Sequence, residues 1–92
     1  MLKAHHTGSF KGDLKKAERQ HRNMTFLAEL MDNLVAEQSL DPRHRDHALQ
    51  GKWQGYRECH VQNDWLLVYK VDKQNNIIGF ARLGTHSEIF KN

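Results

Sequence analysis

Four of the seven histidines, His44, His47, His60 and His86, fall at or beyond residue 44. They have Asp64, Arg57 and Arg82 as charged neighbours, and the aromatics Trp53, Trp65 and Phe90 nearby. Cleavage of RNA without a metal needs three things. One group removes the proton of a 2′-OH, a second protonates the departing 5′-oxygen, and a cation offsets charge on the phosphoryl oxygens. Histidine suits both proton roles, because a pKa of about 6.5 keeps both of its forms populated near neutrality. The same residue types also hold zinc, with His47, His60, His86 and Asp64 as the candidate ligands. That reading lacks a compact pair such as H-x-x-x-H. A lone histidine is more often a surface or core residue than a catalyst, and His5, His6, His21 and His44 read as surface residues. It is the grouping of the others near strand ends that points to chemistry.

The frame that must position these groups is small. The chain has 92 residues and 10.8 kDa, enough for one domain, expected to span 1–92. Hydrophobic residues make up 38% and the mean hydropathy is −0.82, so the core must be thin and lean on its aromatics. The single cysteine, Cys59, excludes an internal disulfide and a Cys-rich zinc site, and reads as a small packed side chain. No apolar run approaches the roughly 20 residues of a membrane span. Met1 to His6 lacks the apolar segment of a secretory signal, so a cytoplasmic protein is expected.

The net charge of +3 is unevenly laid out. Residues 1–22 carry six basic and two acidic side chains, and residues 23–41 four acidic and no basic ones. Residues 42–92 return to eight basic and five acidic, so the surface should have signed faces.

Leu2 to His6 suits a first edge strand, ending at Thr7-Gly8. Phe10, Leu14, Ala17 and His21 recur on one face of a helix over 10–22, with Ser9 as its expected N-cap. Lys11, Lys15, Arg19 and Arg22 share a spacing and form a basic stripe beside the apolar one, ordinarily a solvated face. Asn23 can cap a second helix, in which Phe26, Leu27, Leu30, Met31, Leu34 and Val35 make a wide apolar face that ends by Ser39. Residues 42–55 show no periodicity and read as a functional loop. Tyr56–Val61, Trp65–Val71 and Ile77–Leu83 are three β-rich runs with short, hence antiparallel, connections. The expected fold class is α+β, in the order β-α-α-β-β-β, a helical hairpin packed on one face of a small, mainly antiparallel sheet. Trp53 and Trp65 read as packing residues before stacking platforms.

Two blocks carry a resemblance. The first runs from His47-Ala48-Leu49-Gln50-Gly51-Lys52-Trp53 through Gly55-Tyr56-Arg57-Glu58-Cys59-His60-Val61 to Asp64-Trp65. The second is Arg82-Leu83-Gly84-Thr85-His86-Ser87-Glu88-Ile89-Phe90. Together they resemble the YafQ-type toxins of the RelE/ParE superfamily, over nearly the whole chain. The family usually has His-Pro-Leu where this chain has His47-Ala48-Leu49.

The resemblance implies a RelE-like fold and the toxin half of a type II toxin–antitoxin pair. It implies a ribosome-dependent endoribonuclease that cuts mRNA in the A site by 2′-OH attack, inhibiting translation, with neither metal nor cofactor. The expected products are a 2′,3′-cyclic phosphate, or the derived 3′-phosphate, and a 5′-OH. Carried over by position, the family's critical side chains fall on His47, His60, Asp64, Arg82, His86 and Phe90. His86 is expected as general acid, and His47 or His60, supported by Asp64, as base. Arg82 is expected on the scissile phosphate and Phe90 against a base.

With a ribosome as platform, Lys11, Lys15, Arg19 and Arg22 become candidates for ribosomal RNA backbone, and Lys52 and Arg57 for phosphates near the His47 loop. The implied partner is a DinJ-like antitoxin, through which alone operator DNA would be contacted. The alternative is a ParE-like toxin or interaction module of the same fold without nuclease chemistry.

Overall fold

The fold is organised around a strand that is apolar on both faces. In the computed structural model, which describes residues 1–90, Trp65–Asp72 forms the central strand β4. Trp65, Leu67 and Tyr69 point to one side of it, and Leu66 and Val68 to the other. A strand in the middle of a sheet covered on both faces needs such an uninterrupted run. Its neighbours are β3 (Arg57–Gln62) and β5 (Ile77–Gly84), both antiparallel to it. A two-residue strand β2 (His47–Ala48) extends β3 on one edge. Strand β1 (Lys3–His6) runs parallel to β5 on the other edge, giving the order β1-β5-β4-β3-β2.

Helices α1 (Gly8–Arg19) and α2 (Met24–Val35) lay their apolar residues on the Trp65/Leu67/Tyr69 side. Phe10 of α1 stacks on Phe80 of β5 with ring centroids 5.6 Å apart. Leu27, Leu30 and Leu34 of α2 complete this larger core. The opposite face of the sheet is covered by the loop after α2 and by a short helix α3 (His86–Phe90). Leu49, Trp53, Tyr56 and Phe90 pack there on Leu66, Val68, Ala81 and Ile89. The layout expected from sequence therefore holds, with β2, α3 and two 3-10 turns (Pro42–His44, Gly51–Trp53) added. Trp65 is buried in the larger core, and Cys59 is fully buried, its thiol pushed far up by desolvation. No helix among the described residues is long and apolar enough to cross a membrane.

Both helices are shorter than their periodicity suggests, for the same reason. Arg22 N–H donates to the Ala17 carbonyl and His21 N–H to that of Glu18, with His21 at φ 58. Gln38 and Glu37 repeat this on Asn33 and Leu34, with Glu37 at φ 58. These are Schellman endings, which a left-handed residue closes and which usually carry glycine. Without a glycine the ends at Arg19 and Val35 leave no mark in the sequence.

The start of α1 also differs. Ser9 lies inside the helix and Thr7 is the cap, its Oγ1 accepting from Phe10 N–H (3.1 Å) and donating to the Ala81 carbonyl of β5 (3.0 Å). Asn23 caps α2 as expected, accepting from Phe26 N–H at 3.0 Å. Because Thr7 serves two elements, Thr7→Ala is expected to cost about 1–2 kcal/mol in urea unfolding, with Thr7→Ser recovering most of it. An unchanged midpoint in Thr7→Ala would show that the cap contributes nothing.

Candidate active site

The site lies on the sheet face opposite α1 and α2, and its floor is a carboxylate. Side chains two apart on a strand share a face, so Glu58 and His60 of β3 point together, away from Cys59 and Val61. His47 of β2 stands directly across from Glu58 in the ladder. Its Nε2 lies 3.2 Å from Glu58 Oε2. His86 approaches from the end of β5, with Nε2 at 3.3 Å from Glu58 Oε1. One buried carboxylate thus stands between two exposed imidazoles, and its Oε1 is sealed from solvent without a hydrogen bond.

His86 is set by the start of α3. Thr85 and Glu88 form a capping box, Thr85 N–H donating to Glu88 Oε1 (2.8 Å) and Glu88 N–H to Thr85 Oγ1 (3.2 Å). Lys16 of α1 pairs with Glu88 and ties the cap to the rest of the fold. Gly84 is needed where β5 meets this turn, since a Cβ there would stand 2.8 Å from Glu88 Oε1. Asp64, in the turn between β3 and β4, accepts from both the backbone N–H (3.0 Å) and the ring Nδ1 (2.9 Å) of His86. Those two bonds hold the Asp64 carboxyl below its ordinary range, the backbone bond being the larger cause. Asp64 therefore supports His86, the expected acid, whereas the sequence reading set it behind the base.

Tautomers follow from the partners, because a carbonyl oxygen only accepts. His47 Nδ1–H donates to the Arg45 carbonyl (2.6 Å) and His60 Nδ1–H to that of Asn63 (3.0 Å). Neutral His60 then carries its lone pair on Nε2, the atom a general base uses, whereas His47 meets an acceptor at each nitrogen, the Arg45 carbonyl at Nδ1 and the Glu58 carboxylate at Nε2. The His60 and His86 rings are 5.8 Å apart, and Phe90, one turn after His86, is 6.1 Å from it. Trp53 meets Phe90 edge-on at 6.0 Å.

The structure thus gathers His47, His60, Asp64, His86 and Phe90. Arg82 is engaged elsewhere, its Nε donating to Asp13 Oδ2 at 2.8 Å and its Nη2 to Oδ1 at 3.4 Å. Arg57 is half-buried and reaches Asp46 at 3.4 Å, beside a 2.5 Å bond from the Tyr69 hydroxyl to the same carboxylate. Lys52 is exposed on the second 3-10 turn. Lys11, Lys15 and Arg19 are exposed along α1. Arg22 falls beyond the end of α1 and lies over the Trp65 ring at 5.3 Å, which removes it from the stripe.

Glu58 is the member of the cluster that the sequence reading missed. Its signal was its phase, two residues before His60 and therefore on the same face. It also alters the metal reading. The atoms that lie within 4.8 Å of one another belong to Glu58, His60 and His86, without His47 or Asp64.

Residues 2–91 match the family described as the bacterial toxin of a type II toxin–antitoxin system, YafQ. The chain belongs to the YafQ family. Among YafQ proteins, the mRNA interferase toxin YafQ of Escherichia coli (strain K12) is 38% identical over 86 residues, which cover 92% of this chain and 91% of that one. YafQ in the crystal structure of the E. coli DinJ–YafQ complex superposes with a TM-score of 0.88 at 36% identity, covering 98% of this chain and 99% of that one. A metal-bound toxin from Helicobacter pylori superposes at 0.93 with 40% identity, covering 98% and 100%. The helices packed against a five-stranded sheet are thus the fold of YafQ toxins.

Proposed function

We propose that this toxin is an endoribonuclease that cuts mRNA in the ribosomal A site, using the substrate's own 2′-OH and no metal. The observation that carries the reading is the pair of Nε2 atoms on the two oxygens of Glu58. In-line displacement at phosphorus puts the attacking and leaving oxygens on opposite sides, so it needs a base and an acid that face one phosphate from two directions. A neutral imidazole, that of His60 or of His47, removes the 2′-OH proton, the 2′-oxygen bonds to phosphorus, and the bond from phosphorus to the 5′-oxygen breaks. His86 Nε2–H gives its proton to that oxygen. The products are a 2′,3′-cyclic phosphate, later a 3′-phosphate, and a 5′-OH. Arg82 meets the phosphoryl oxygens with the N–H groups that Asp13 leaves free, and Phe90 stacks on a base.

Lys11, Lys15 and Arg19, on the helix side of the sheet, dock on ribosomal RNA backbone, while Lys52 contacts mRNA phosphates near the His47 loop. The toxin is restrained by a DinJ-like antitoxin, as the E. coli YafQ is found in complex with DinJ.

The test is to treat the protein with chelator, add it to ribosomes programmed with a defined mRNA, and map new 5′ ends with and without ribosomes. Cuts confined to the A-site codon on ribosomes support the reading. Cleavage of free RNA alone makes it an ordinary ribonuclease, and no cleavage by folded protein points to a toxin with a protein target.

Glu58, His60 and His86 fit a copper(II) or zinc ion, as the metal-bound H. pylori toxin makes relevant. Such an ion would take the His86 Nε2 that the reaction uses. Copper(II) added in the same assay is therefore expected to inhibit, and excess chelator to restore the full rate; stimulation by the metal would overturn the metal-free mechanism.

A further inference from the structure

Behind His60 lies a second concavity that the chemistry above does not use, a cleft of about 530 Å³ between the start of α2, the Pro42–His44 turn and the end of β3. Phe26, Arg43, His44, Arg45, His60 and Asn63 line it. We infer that this cleft is a subsite for the phosphodiester next to the scissile one, bound by the guanidinium groups of Arg43 and Arg45 with His44 as a third donor. The inference deepens the nuclease reading and rests on it.

Three observations carry it. The first is the availability of charge. Arg82 pairs with Asp13 through Nε and Nη2 and Arg57 with Asp46, whereas among the described residues neither Arg43 nor Arg45 pairs with a carboxylate. The nearest acidic groups along the chain are already engaged. Asp41 caps the turn by accepting from Arg43 N–H at 2.9 Å, and Asp46 holds Tyr69 and Arg57.

The second is preorganisation. Pro42 begins the turn, Asp41 caps it, and the Arg43 guanidinium lies 5.8 Å from the Phe26 ring centroid, a cation–π contact that directs it. Between the arginines, His44 is only 8% exposed, yet it lines the cleft. Its Nδ1–H donates to the His60 carbonyl at 2.6 Å, which leaves Nε2 without a protein partner. A nearly buried imidazole with one free nitrogen at the wall of a cationic cleft is built to meet a ligand oxygen.

The third is continuity with the site. His60 belongs to both the cleft and the catalytic cluster. Arg45 adopts a left-handed backbone (φ 49), and its carbonyl receives the His47 Nδ1–H. The cleft is walled by Phe26 and Val61 on the helix side, so a strand of RNA with its scissile phosphate against His47 and His86 rounds the His60 edge of β3 to reach it, and an anion is the complementary group there.

The experiment uses the full chain on programmed ribosomes under single-turnover conditions. The mRNA carries a neutral methylphosphonate at one or the other linkage flanking the cut. Arg43→Gln/Arg45→Asn, in which asparagine tolerates the left-handed backbone, is compared with the unmodified toxin, and Arg43→Gln alone serves if the double variant does not fold. At subsaturating toxin the double variant is expected to cleave about 10-fold or more slowly, with a salt dependence shallower by about one to two charges. At saturation its rate is expected to stay within a few-fold. Methylphosphonate at one flanking linkage should slow the unmodified toxin by a similar factor and leave the variant unaffected.

If the unmodified toxin cleaves while the variant shows the same concentration and salt dependence, the subsite is overturned and the nuclease reading stands. If neither cleaves, the nuclease reading fails and the subsite with it. A variant that cleaves normally but no longer binds the antitoxin would assign the cleft to a protein partner, which also overturns the proposal.

Discussion

His86→Ala is expected to lower single-turnover cleavage by about 10²–10⁴-fold, the usual worth of a positioned acid, while the protein stays folded. The two halves of this expectation rest on different observations. His86 is exposed and is absent from both cores, so its loss creates no cavity. Asp64 keeps the backbone N–H of residue 86 as a partner, so the start of α3 survives the loss of the ring. A far smaller loss in a variant with unchanged thermal midpoint would remove His86 from the mechanism.

The pH dependence has a definite sign. The Asp64 carboxyl is lowered in the folded protein, so its contribution to the native state is complete above the ordinary carboxylate value. It is lost only as pH falls through the depressed value. Asp64 is therefore an anion throughout the neutral range, and its bonds to residue 86 persist there. In Asp64→Asn the asparagine oxygen can still accept from the backbone N–H but no longer offers a charge to the ring. Cleavage at neutral pH should then slow while the thermal midpoint holds; a rate equal to that of the unmodified toxin would show that the Asp64 charge contributes nothing.

Glu58→Leu is expected to abolish most activity, by about 10²-fold or more, without loss of stability. A buried carboxylate pays a desolvation cost, and Oε1 of Glu58 has no hydrogen bond to offset it. Leucine removes that penalty and has apolar neighbours on the same sheet face, such as Val68, its partner across the ladder. The folded state should be as stable as before or more so, while His47 and His86 lose the group that aligns them. Glu58→Gln separates shape from charge, since it keeps volume and hydrogen-bonding capacity but cannot bear the anion. If Gln were as active as Glu, the carboxylate would be acting through its shape alone. Concurrent loss of activity and of thermal midpoint in Glu58→Leu would instead make Glu58 a structural residue.

What could be read from the sequence follows the strength of each physical signal. The run Trp65 to Val71 and the paired apolar positions of α2 are long and periodic, and they placed the sheet and the second helix well. The histidine cluster was legible because its residue types are sparse and fall at strand ends. Helix ends were not, because His21 and Glu37 fill left-handed positions where the usual cue is glycine. Strand β2 has two residues and α3 five, too few for any period. The protein partners of Arg82, Arg57 and Arg22 could not be read, since each lies elsewhere in the sequence: Asp13, Asp46 and Trp65. Glu58 was hidden by its strand, where a lone acidic residue looks like an ordinary solvated position until the layer above it is known.

The parallel pairing of β1 with β5 also bears on the order in which the toxin can be made. Thr7 bonds to Ala81, 74 positions later, and β1 takes its register from residues 77–80. A nascent chain therefore carries α1 and α2 well before the strands that cover them, and it cannot dock its first strand until β5 has emerged. Such distant closures are slow to form, and His86 comes later still. The fold is thus completed only after β5 has been made, which leaves an interval in which an antitoxin already present can meet the growing chain.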